Sequence, residues 1–189
     1  MGNFYVNFSV RSTNTDKIAT ALEEDEQLCL ITPPSNGYSV IFDRESDGQD
    51  PESIAAVGQV LSASVGAVVF AVLNHDDDIL CCWLFENGKL SDYYNSAPHY
   101  FGDEPLSADE INAKLTDPQH LCTALGVPDA IDAVRRILGR KDYLSETDRH
   151  AALVEALQLP LWSVGFGFRH IERGELPSGL KLSDLRRVG

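Results

Sequence analysis

Ala67-Val68-Val69-Phe70-Ala71-Val72-Leu73 is the stretch that decides the fold. It is apolar throughout and does not alternate, as expected of a strand covered on both faces. Such a strand is a poor sheet edge, so another strand should lie beside it. Gly66 ends the helix before it, which opens on Asp50-Pro51-Glu52: a cap, a proline at the first helical position and an acid in the first turn. Ile54, Val57, Val60 and Leu61 mark the inward face of that helix. Further back, Gln27 to Thr32 and Tyr38 to Asp43 form a hairpin around Pro33-Pro34-Ser35-Asn36-Gly37. At the start, Phe4, Val6, Phe8 and Val10 alternate with Tyr5, Asn7 and Ser9, the pattern of a strand with one buried face. Thr13 to Asp16 then supply caps for a short helix with Ile18, Ala19, Ala21 and Leu22 inside.

Residues 3–74 therefore read β-α-β-β-α-β. That order resembles the ferredoxin-like fold in topology, and a likeness of topology brings no function with it. It implies strand order 4-1-3-2, with the third and fourth strands ending on the same rim. A second hairpin, Ile79–Phe85 and Lys89–Tyr94 around Asn87-Gly88, supplies the missing neighbour and extends the order to 6-5-4-1-3-2. Helices should then open at Ser107, at Asp117-Pro118, at Pro128 and at Ser145, the last with Leu153, Val154 and Leu157 facing inward. Leu161 to Ile171 alternates Trp162, Val164, Phe166 and Phe168 with Ser163, Gly165 and Gly167, and reads as a final strand. Gly174 to Gly189 reads as a polar tail. The expectation is one α+β domain: a sheet core over 1–95, a helical appendage over 96–158, a strand within 159–172 and a tail over 173–189.

The chain carries a net charge of −14, unevenly spread. Residues 1–134 hold 5 basic and 22 acidic residues, a net −17, whereas residues 135–189 hold 10 and 7, a net +3. An acidic body repels nucleic acid and anionic membranes, so neither is expected as a partner. Arg135, Arg136, Arg140 and Lys141 form the one cationic cluster, read as a solvated helix face. No signal-peptide pattern or membrane-length apolar run is present. Cys29, Cys81, Cys82 and Cys122 sit among apolar residues without a C-x-x-C pair, which fits reduced thiols and a cytoplasmic location.

Two acidic tracts fall where the third and fourth strands end. Asp43-Arg44-Glu45-Ser46-Asp47-Gly48 begins like a calcium loop, but Ile54 stands where the bidentate Glu belongs. His75-Asp76-Asp77-Asp78 offers an imidazole and three carboxylates in a tight turn. Brought together on one rim, Asp43, Glu45, Asp47, His75, Asp76, Asp77 and Asp78 form a candidate surface for a basic protein partner. No resident cofactor is expected beyond a possible divalent cation, for which His75, Asp76, Asp78, Asp43 and Asp47 are the candidate ligands. Tyr93, Tyr94, His99, Tyr100 and Phe101 cluster around a proline loop and are candidate pocket or interface residues. No nucleophile elbow, Walker A or H-E-x-x-H motif is present. The first reading is a binding or regulatory protein rather than an enzyme. The alternatives are a metal-dependent hydrolase and a small-ligand sensor with its pocket between sheet and helices.

Overall fold

A computed structural model describes residues 2–98, 100 and 116–189. The strands are β1 (Phe4–Val10), β2 (Cys29–Ile31), β3 (Ser39–Asp43), β4 (Val69–His75), β5 (Ile79–Glu86), β6 (Lys89–Asn95) and β7 (Arg186–Val188). The helices are α1 (Thr15–Glu24), α2 (Pro51–Val65), α3 (Pro118–Leu125), α4 (Ile131–Gly139), α5 (Glu146–Ala156) and α6 (Phe168–Glu172). Four helices begin where the sequence places a cap: the side chains of Asn14, Asp50, Asp117 and Ser145 each accept a first-turn N–H. The helix expected at Ser107 lies outside the described residues.

The fold is α+β, built on one antiparallel sheet of order β6-β5-β4-β1-β3-β2-β7. Its inner part, β4-β1-β3-β2, has the order the ferredoxin-like topology requires, and β5 pairs along the whole of β4. The apolar run of β4 thus lies between β1 and β5, with a helical layer on each face. On one face α1 and α2 pack over Val6, Phe8, Val10, Ala71, Trp83 and Phe85. Gly58 of α2 is part of that fit, since a Cβ there would stand 2.3 Å from the Phe85 ring. On the other face α3, α4 and α5 pack over Tyr5, Phe70, Val72, Leu80, Cys82, Leu84 and Tyr94.

Three expectations are corrected. β1 is buried on both faces, because α5 and the segment before α6 cover Tyr5 and Asn7. The final strand over 159–172 is absent. A 3-10 turn (Leu161–Ser163) and α6 take its place, and Phe168 and Ile171, one helical turn apart, pack on Leu30, Val40 and Phe42. The alternation there matched strand period, but Gly165 has a left-handed backbone (φ 84°) that breaks an extended run. The tail over 173–189 instead supplies β7, an edge strand paired with β2. Its exposed Arg186 and Arg187 are the kind of charge that discourages further strand addition.

Candidate functional site

The two acidic tracts meet on the rim. Gln49 joins them: its Nε2 donates to the Asn74 carbonyl (2.7 Å) and its Oε1 lies 2.6 Å from His75 Nδ1. The acids, however, mostly serve the fold. Asp43 is wholly buried and accepts from the Ser46 N–H (2.7 Å) and the Cys29 thiol (3.2 Å). Asp47, also buried, accepts from the Arg169 N–H (3.0 Å) and so caps α6, whose own N-cap residue, Gly167, has no side chain to do it. A Cβ on Gly167 would stand 2.1 Å from Asp47 Oδ1. Burial pushes the Asp47 carboxyl up, with Arg169 opposing. Asp43 and Asp47 therefore turn away from any partner on the surface. No group of three or more His, Cys, Asp or Glu able to hold a metal occurs among the described residues.

The second tract is a hairpin turn in which Asp76 (φ 55°) and Asp77 (φ 59°) adopt the left-handed conformation. Asp76 accepts from the Gly2 N–H (2.8 Å). Asp77 accepts from the Asn3 N–H (3.0 Å), Asn74 Nδ2 (3.1 Å) and Thr147 Oγ1 (2.5 Å). Burial alone would raise the Asp77 carboxyl, but these hydrogen bonds outweigh it and hold it below the usual carboxylate range. Asp78 is exposed and accepts from the Tyr100 hydroxyl (3.2 Å). The His75 ring meets Phe4 edge-on at 4.9 Å and Tyr100 at 6.1 Å. Glu45 is exposed, and His99 lies outside the described residues.

Beside this turn runs a polar layer inside the protein. Extending the α5 stripe of Leu153, Val154 and Leu157 backwards at helical spacing reaches His150, Arg149 and Glu146, and all three are buried. His150 Nδ1 lies 2.8 Å from Tyr5 Oη, to which Asn74 Nδ2 also donates (3.4 Å). Complete burial lowers the His150 pKa to about 3, so the ring is neutral. Its Nε2 has no hydrogen-bond partner among the described residues.

At the start of α5 the polar layer opens into a cleft of about 750 Å³. One wall is the end of β6 and the loop behind it, residues 94–98 and Tyr100; the other is the end of α4 and the two residues after it, residues 138–141; Glu146 and Arg149 lie beneath. Arg149 is held on every side. Its Nε donates to Glu146 (2.7 Å), its Nη1 donates to the Ile137 carbonyl (2.8 Å) at the end of α4, and its guanidinium lies over Tyr143, 4.7 Å from the ring centre. The Tyr94 hydroxyl donates to the Leu138 carbonyl (3.0 Å). Burial raises the Glu146 carboxyl and Arg149 opposes it. On the lip, Arg140 pairs with Asp142 (2.5 Å), while Lys141 is exposed and makes no ion pair among the described residues.

Of the residues singled out from sequence, Tyr94 and Tyr100 line this cleft, and His75 and Asp78 reach it through Tyr100. The sequence reading missed Glu146 and Arg149. The signal was available: two charged residues in register with a buried helical stripe. Arg140 and Lys141, expected on a solvated face, form the lip. No protein-family model matches the chain, and no curated protein or solved structure matches it.

Proposed function

We propose that this protein binds a small anion carrying a flat ring, in the cleft between the end of β6 and the start of α5. The observation that carries the proposal is a cleft of about 750 Å³ with tyrosines and a proline on one wall and Arg140 and Lys141 on its lip. The volume suits a small ligand, and such sites combine apolar walls with a few placed polar groups. The fixed Arg149–Glu146 pair beneath is already neutralised, so the cation available to a ligand is at the lip. The acidic body argues against an anion only at long range. At physiological ionic strength its field is screened over about 8 Å, whereas Lys141 would act at contact. The acidic rim supports a cationic partner less well, because burial removes Asp43 and Asp47 and leaves Glu45, Asp76 and Asp78.

The test uses 8-anilinonaphthalene-1-sulfonate, whose fluorescence reports binding. Titration should give one saturable site per chain. Lys141→Glu should weaken it about tenfold and Tyr100→Ala by a smaller factor, both with unchanged melting temperature, since an exposed charge and a half-exposed ring contribute little to stability. Binding that does not saturate, or that ignores Lys141→Glu, would rule the proposal out.

A further inference from the structure

We infer that the His75–Asp78 turn sets the width of the cleft, with Asp77 as the positioning residue; this rests on the ligand-binding reading above. Adjacent residues of one turn hold two sides of the same cavity, its floor and one wall. Asp77 holds the start of α5: its carbonyl accepts from the Glu146 N–H (2.9 Å), and its Oδ1 accepts from Thr147 Oγ1 (2.5 Å) and Thr147 N–H (3.3 Å). Glu146 and, one helical turn on, Arg149 lie beneath the cleft. The next residue, Asp78, holds the adjoining wall by accepting from the Tyr100 hydroxyl (3.2 Å).

The turn is suited to act as a fixed spacer. It is closed by the Asp78 N–H donating to the His75 carbonyl (3.0 Å), and it is tied to the sheet by Asn3 N–H donating to Asp77 Oδ2 (3.0 Å). Asp77 Oδ2 is therefore fastened to Asn3, just before β1, and Oδ1 to both α5 and Asn74 of β4. Loss of the Asp77–Thr147 bond loosens the start of α5, which keeps its backbone bond to the Asp77 carbonyl and the Asn74 Nδ2 bond to Thr147 Oγ1 (2.9 Å), while Ser145, whose Oγ accepts from the Asp148 N–H (3.1 Å), still caps the helix. The helix should survive and the cavity should lose its fixed width. The consequence is selectivity for ring size.

The experiment measures the affinity ratio of two probes, 8-anilinonaphthalene-1-sulfonate and the one-ring benzenesulfonate, on the full chain. Thr147→Val, which removes the donor hydroxyl and keeps the shape, should lower the two-probe ratio about fivefold, as loss of one charge-assisted hydrogen bond allows. Asp77→Ala should do the same, and the double variant should go no further than the single ones. A general loosening would weaken both probes alike, so an unchanged ratio overturns the inference. A second readout needs no ligand: amide hydrogen exchange at Glu146 and Thr147 should quicken in Asp77→Ala, and unchanged exchange also overturns the inference. If the wild-type chain binds neither probe, the ligand-binding reading alone falls, and the exchange result then decides whether Asp77 positions α5.

Discussion

The two faces of the sheet are built from the same strands and differ in what they bury. Under α1 and α2, the side chains of Val6, Phe8 and Val10 meet a largely apolar layer. Under α5 and the segment before α6, the alternate residues of the same strand, Tyr5, Asn7 and Ser9, are just as buried, and the first two bond across to the covering layer. Asn7 Nδ2 donates to the carbonyls of Ser163 (2.6 Å) and Phe166 (2.9 Å). An apolar layer is held by area and tolerates some repacking, whereas a polar layer works only when its hydrogen-bonding groups meet in the right places. The first face therefore supplies most of the stability, and the second fixes how the C-terminal elements sit. The cleft opens off the second face, where position is specified.

The sharpest way to break this comparison is to damage the apolar face. Phe8→Ala should destabilise the protein by about 3–5 kcal/mol, measured by urea denaturation. A loss no larger than that of the polar-face variants below would mean the two faces do not differ as described.

The polar face should instead announce itself through pH. The folded His150 pKa of about 3 lies below its ordinary 6.5, so between those values the unfolded chain binds a proton that the folded chain does not. Stability is therefore present above pH 6.5 and is lost as pH falls below it. By pH 5 the loss from this group should be about 2 kcal/mol. His150→Phe should flatten the pH profile between 6.5 and 5. This window lies above the range where Asp77, held low, begins to protonate. An unchanged slope in the variant would show that His150 is not the source.

The smallest expected effect belongs to Asn7→Ala, about 1 kcal/mol. Two carbonyls lose a donor, but the Asn7 Oδ1, which has no partner among the described residues, is removed with it. Chemical denaturation with hydrogen exchange at residues 163–168 would read both the stability and the loosening of that segment. A loss as large as that of Phe8→Ala would mean the polar face carries stability of its own.

Much of the fold was legible because the deciding signals are local. Period-two alternation and Asn87-Gly88 placed β1 and the β5–β6 hairpin, and four helix caps were read from a residue type in front of an apolar period. The failures were also local. Trp162, Val164, Phe166 and Phe168 alternate as a strand would, and only the third dimension shows that Phe168 pairs with Ile171 on a helix. β7 has three residues, two of them arginine, and becomes a strand only because β2 offers an unpaired edge. The candidate site was half legible. Tyr94 and Tyr100 stood out as aromatics around a proline loop. Glu146 and Arg149 were hidden because a charged residue in a helix reads as surface until its neighbours in the stripe are followed backwards.

By itself, then, the sequence determined the α+β class, the strand order as far as six strands and the meeting of two acidic tracts on one rim, since each follows from backbone periodicity, turn chemistry and chain connectivity. Tertiary structure alone decided that Asp43 and Asp47 turn inward, that Asp77 holds α5 and that a cleft opens beside Arg149. The physical reason is that a carboxylate's role depends on which donors reach it. For these residues some of those donors are far along the chain, Arg169 for Asp47 and Thr147 for Asp77, and they are neighbours only once the sheet is covered.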